Sequence, residues 1–182
     1  MIVTRPATPG DADAIATVHI AAWRVGYLGI LPDRLLEALD HSQRTARWAD
    51  ILSRDQPGSR TVVAESAGEV WGFGGLRPSL ETEANGTPVG EVAAVYVDPA
   101  HWRAGVGGTL MGALEAEAVA FGFEQLELRV LEQNDRARAF YESRGWQTDN
   151  VLMPDRAGVS QHGFPDGVPV TVVRYTRALS AP

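Results

Sequence analysis

The strongest constraint on this chain is a strand that runs into a helix through a glycine-dense turn. Residues 91–97, Glu-Val-Ala-Ala-Val-Tyr-Val, read as a strand, Asp98-Pro99 ends it, and Leu110, Leu114, Ala118 and Phe121 recur at helical spacing over 109–121. Between them lies Trp102-Arg103-Ala104-Gly105-Val106-Gly107-Gly108. Glycines here let backbone N–H groups crowd around an anion at a helix start, where the dipole and the unpaired donors both favour negative charge. Taken alone, the loop reads either as a diphosphate site or as a tight turn that lets the helix pack closely. Two common phosphate loops are excluded by the letters. A dinucleotide fingerprint needs a third glycine where Leu110 stands, and a nucleotide phosphate loop needs a lysine, which the chain lacks entirely.

The remaining pattern surrounds this unit with strands and helices. Residues 2–5 read as a strand, and Pro9-Gly10-Asp11 opens a helix carrying Ile15, Val18 and Ala22. A second helix is expected from Leu31-Pro32-Asp33 to about Leu52. Residues 61–65 and 70–76 read as a hairpin and 78–90 as a loop. Residues 125–131 read as a strand, 135–144 as a helix stopped by Gly145, and 168–176 as a last strand after the Gly/Pro-containing stretch 155–167. The order predicts an α/β protein, a mixed sheet with helices on both faces.

Composition narrows the chemistry. With 182 residues, 45% of them hydrophobic, the chain is expected to form a single domain spanning 1–182. Cysteine is absent, which removes disulfides, thiolate nucleophiles and cysteine zinc sites. All 16 basic residues are arginine, which removes Schiff-base chemistry. A net charge of −7 argues against a broad nucleic-acid surface. It suits cationic substrates mildly, or solubility alone. No apolar run of about 18 residues and no basic-then-apolar leader is present, so a cytoplasmic protein without membrane contact is expected. His19, His41, His101 and His162 lack metal-ligand spacing, and no metal is expected.

Over residues 91–146 the pieces keep a fixed order: a strand ending in Val97-Asp98-Pro99, the glycine loop, a helix, a strand, Asn134-Asp135-Arg136-Ala137, then Tyr141 four residues before Gly145-Trp146. In this order and spacing the chain resembles the GCN5-related N-acetyltransferase family. Trp102 stands where that family has Arg or Gln, which removes one phosphate partner and leaves Arg103 and the loop amides. Trp146 replaces Phe and keeps an aromatic position. The resemblance implies a central mixed, mostly antiparallel twisted sheet with helices on both faces. It also implies acetyl-CoA as cofactor and transfer of acetyl to a primary amine of a small molecule or peptide. Residues 91–146 would form the acetyl-CoA-binding core and 1–58, a strand plus a helix pair, the acceptor side. Two other classes share the cofactor pattern: a non-catalytic acyl-CoA sensor and an O-acyltransferase.

The resemblance also assigns residues. The backbone of Val95, Tyr96 and Val97 would bond the pantetheine amides. The diphosphate would sit on Arg103, Ala104, Gly105, Val106, Gly107 and Gly108, with Thr109 opening the helix and Arg103 otherwise a solvated side chain. Asn134, near Ala137, would cap its helix or bond the cofactor arm. Glu91 is the candidate base, placed with Ala93 and Val95 on one sheet face, or else a strand-edge carboxylate. Tyr141 would approach the coenzyme sulfur and donate its proton, or pack beside Phe140. Trp23 and Tyr27, in the stretch joining the first helices, are candidate acceptor contacts or core aromatics. With no cysteine to carry the acetyl group, attack would be direct, in a ternary complex. A homodimer joined through the strand at 168–176 is a further expectation.

Overall fold

The computed structural model describes residues 1–80, 86–148, 152–154 and 170–179. Their elements are β1 (Val3–Pro6), α1 (Ala12–Gly26), α2 (Asp33–Glu37), α3 (His41–Ser53), β2 (Arg60–Ser66), β3 (Glu69–Pro78), β4 (Val89–Val97), α4 (Val106–Ala120), β5 (Gln125–Leu131), α5 (Asp135–Ser143), β6 (Leu152–Pro154) and β7 (Thr171–Ala178). The strands form one sheet in the order β1-β2-β3-β4-β5-β7-β6. Every neighbouring pair is antiparallel except β4 with β5. The mixed, mostly antiparallel sheet is thus present.

Its two faces follow from strand alternation. Val62 and Ala64 of β2 pack with Leu110, Met111, Leu114 and Ala118 of α4, while Val63 between them packs with Ile15, Ala16 and Val18 of α1. Sheet and α4 approach so closely that a Cβ on Gly72 would stand 2.9 Å from the Tyr96 carbonyl oxygen and 3.0 Å from Leu110 Cδ1. A smaller cluster gathers Trp23, Leu31, Leu36, Leu131 and Val172.

Local chemistry moved several expected boundaries. The helix expected over 31–52 is two helices, because Asp40 caps α3 by accepting the Gln43 N–H at 2.8 Å and so ends the preceding turn. The glycine-loop helix starts at Val106, three residues before Thr109, since Gly105 adopts φ 89° and serves as its N-cap. Gly145, at φ 81°, follows α5 as expected. The last strand runs Thr171–Ala178 and is flanked by β5 on one side and β6 on the other, with Gln147 bridging to Thr176. Its outer edge is thus covered within the chain at Thr171–Val173 and at Thr176. The stretch 155–167, with His162, and residues 168 and 169 lie outside the described residues.

One irregularity decides the site. The β3–β4 register passes from Gly75↔Ala94 to Leu76↔Val92, leaving Ala93 as a bulge. Val92 then faces α4 together with Val95 and Val97, whereas Ala94 and Tyr96 face α1. Glu91 accordingly shares the α1 face with Ala94 and Tyr96, and not, as simple alternation predicted, the face of Val95.

Candidate active site

The parallel pairing of β4 with β5 covers Val89↔Gln125, Gly90↔Leu126 and Glu91↔Glu127 and goes no further. Beyond the bulge the strands part, and a cleft of about 830 Å³ opens between Val92–Val97 and Leu128–Leu131. The far edge of β4 stays bonded to β3 as far as Val97, so its other edge turns backbone N–H and C=O groups toward the cleft.

The glycine loop closes one end. Arg103 and Gly105 both hold positive φ, 65° and 89°, and fold the chain back over the start of α4. The first N–H groups of a helix have no carbonyl one turn earlier, which leaves those of Gly105 to Gly108 facing outward. Arg103, Gly105, Val106, Gly107 and Gly108 all line the cleft. Ala104 and Thr109 do not. The Ala104 N–H donates to the His101 carbonyl at 3.3 Å, and the Thr109 N–H and hydroxyl both donate to the Gly105 carbonyl, at 3.0 and 3.1 Å.

Trp102 has a different task from the polar residue it replaces. Its indole N–H donates to the Val97 carbonyl at 2.9 Å, tying the loop to the end of β4. Its ring carries the Arg136 guanidinium, whose carbon lies 3.6 Å from the ring centroid. Arg136 lines the cleft, as does Arg144, which donates to the Gly108 carbonyl at 3.3 Å. The sequence reading missed both cations. A hint lay in Arg136 itself, two residues after Asn134 and on the same helical turn. Asn134 caps α5 by accepting the Ala137 N–H at 3.2 Å, and both line the cleft.

Three phenols meet at the fork. The Tyr27 and Tyr96 hydroxyls are 3.2 Å apart, and Tyr141 lies in the cleft wall without a hydrogen-bond partner for its hydroxyl among the described residues. Burial pushes all three phenols above the ordinary tyrosine range, so each stays protonated at neutral pH. Trp23, by contrast, is 1% exposed, sits in the small cluster, and does not line the cleft.

Glu91 is brought elsewhere. It is 2% exposed and outside the cleft lining. One carboxylate oxygen accepts from Arg77 Nε at 2.7 Å and the other from Arg129 at 3.3 Å. Arg129 also reaches Glu127, which accepts from Ser79 at 2.6 Å. The last paired rung, Glu91 opposite Glu127, is thus two acids held together by the guanidinium of Arg129. Of the histidines, His19 is buried and accepts the Trp48 indole N–H at 3.1 Å, and His101 stacks on Trp71 at 3.9 Å. No helix among the described residues is long and apolar enough to cross a membrane.

Known proteins are similar to this chain in sequence and in fold. A profile of the Acetyltransferase (GNAT) family matches residues 23–146. The uncharacterised N-acetyltransferase YuaI of Bacillus subtilis is 31% identical over 134 residues, 74% of either chain. A probable N-acetyltransferase of Mycobacterium tuberculosis is 29% identical over 146 residues, 80% of this chain and 79% of that one. The fold is shared with PaiA N-acetyltransferase from Thermoplasma acidophilum in complex with coenzyme A, at a TM-score of 0.74 and 19% identity over 98% of this chain and 99% of that one. It is shared as well with YncA, a putative acetyltransferase from Salmonella typhimurium with its cofactor acetyl-CoA, at 0.69 and 23% over 100% and 95%. The chain belongs to the acetyltransferase (GNAT) family, and its chemistry is acyl transfer.

Proposed function

We propose that the cleft binds acetyl-CoA and that the protein transfers its acetyl group to a primary amine of a small molecule or peptide by direct attack in a ternary complex. The observation that carries this reading is the fork itself. It has a strand edge that is unpaired with β5 beyond Glu91 and whose Val97 carbonyl is taken by Trp102, open amides at one end and a protonated phenol in its wall. The backbone of Val95 to Val97 would pair with the pantetheine amides as an added strand does. The amides of Gly105 to Gly108 would take the diphosphate, with Arg103 and Arg136 as cations and Asn134 beside the arm.

In the reaction, the amine nitrogen attacks the thioester carbon, the C–S bond breaks, and the leaving thiolate takes the Tyr141 proton. The phenol is replenished from solvent, to which the amine's own proton is lost. Tyr27 faces the acceptor, while Glu91 acts one contact away, by holding Arg77 and Arg129. Residues 1–182 are read as one N-acetyltransferase domain of the cytoplasm. Coenzyme A-bound relatives of the same fold support the cofactor assignment.

Calorimetric titration tests it. Acetyl-CoA is expected to bind saturably, and Gly107→Trp, whose Cβ would stand 3.3 Å from the Phe140 ring, to abolish binding with an unchanged circular dichroism spectrum. Tyr141→Phe should keep binding and lower turnover about 100-fold or more. A wild-type protein that binds no acetyl-CoA would sink the reading.

A further inference from the structure

On the α1 face of the sheet, under α3, lies a second cavity of about 430 Å³, within the size range of small-molecule sites. It shares Ala93, Ala94 and Tyr96 with the cofactor cleft, so an occupant meets the fork from the side opposite α4. Its charge opposes that of the chain. The protein carries −7, yet this wall holds Arg44, Arg47, Arg54, Arg60 and Arg77 against Asp50 and Asp55. Arg54 is engaged by Asp50, Arg60 by Glu117 at 3.2 Å and Arg77 by Glu91 at 2.6 Å. Arg44 has no carboxylate partner among the described residues. Its guanidinium carbon lies 4.8 Å from the Trp23 ring centroid, on the inner side of α3. A partly buried cation against an aromatic face, lining a cavity, is a place where an anion gains a charge-assisted contact.

We propose that this cavity receives the acyl acceptor, and that the acceptor is an amine bearing a carboxylate or a phosphate, whose anionic group seats on Arg44. The inference rests on the acyl-transfer reading of the cleft and adds the acceptor's class. The same positive wall serves the chemistry a second way. Arg44, with no carboxylate partner among the described residues, disfavours a protonated amine beside it and so favours the neutral nucleophile.

The test uses the full chain with matched acceptors: amino acids against their decarboxylated amines, and O-phosphoethanolamine against ethanolamine. In one arm or the other, which also separates carboxylate from phosphate, the anionic member is expected to have a kcat/KM about 30-fold higher, the size of a charge-assisted contact. Arg44→Gln should erase that preference, Arg44→Lys should restore part of it, and neither should change acetyl-CoA affinity. Equal or better use of the neutral members, a preference that survives Arg44→Gln, or calorimetry in which the loaded protein binds no anionic amine would each overturn the proposal. Loss of acetyl-CoA binding itself marks the separate failure of the cofactor reading. In that case, amine titrations without cofactor decide on the cavity.

Discussion

Gly72 illustrates how a residue without a side chain can set the position of a binding loop. A methyl group there would meet the Tyr96 carbonyl at 2.9 Å, Leu110 Cδ1 at 3.0 Å and Val106 Cγ1 at 3.1 Å, and the first of these is backbone. Val106 is the first residue of α4. Gly72→Ala should therefore cost about 1–3 kcal/mol through overpacking. It should also lift the start of α4 off the sheet, weakening acetyl-CoA binding along with stability. Chemical denaturation and calorimetry on the same variant check both effects, and a variant that melts lower yet binds as before would separate α4 placement from cofactor affinity. At this scale the loop glycines were legible in the sequence because their role is a backbone role, written in the residue type. Glu91 was not, because its meaning depends on Arg77 and Arg129, 14 and 38 positions away.

Among elements, β4 matters most, and two of its features open the cleft. The bulge at Ala93 turns the strand, and the rung Glu91↔Glu127 ends its pairing with β5. Like charges directly opposite each other destabilise a ladder unless something bridges them, and Arg129 bridges these. Removing a buried partner from such a network leaves the others without a counter-charge, at a cost of about 3–5 kcal/mol. Glu91→Ala should thus lower the melting temperature by roughly 10 °C or more at this chain length, with Glu91→Gln intermediate. Turnover measured well below the melt should fall less than for Tyr141→Phe. A variant of unaltered stability whose turnover collapses would return Glu91 to the role of base. The order and type of elements could be read from periodicity and turn residues. The bulge could not, since Val-Ala-Ala-Val carries no glycine or proline to mark it, and the phase of the strand was misread from that point. The break between α2 and α3 was similarly hidden, in a single capping aspartate.

For the molecule as a whole, the absence of lysine and cysteine has a consequence in alkaline solution. Between about pH 9 and 12 those two side chains and tyrosine are what ordinarily titrate, arginine lying higher, so here the four tyrosines are left alone in that window. Burial raises Tyr27, Tyr96, Tyr141 and Tyr175 above their ordinary value near 10, with Glu142 adding to the shift of Tyr175. Below about pH 10 folded and unfolded chains both keep these protons, and the full stability is present. As pH climbs past 10 the unfolded chain releases them first and binds fewer protons than the native state. Stability then falls by about 1.4 kcal/mol per pH unit for each phenol withheld. Each phenol contributes only between its unfolded and folded pKa, so the loss comes mainly from Tyr27 and Tyr141, whose shifts are the largest, and takes a substantial part of a typical stability of about 5–15 kcal/mol. Phenolate absorbance and far-ultraviolet circular dichroism, followed on one sample through that range, should therefore change together in a single transition above pH 10. A phenol that ionises near pH 10 while the helical signal persists would show that at least one of the four tyrosines is open to solvent in the folded chain, against the burial that raises all four.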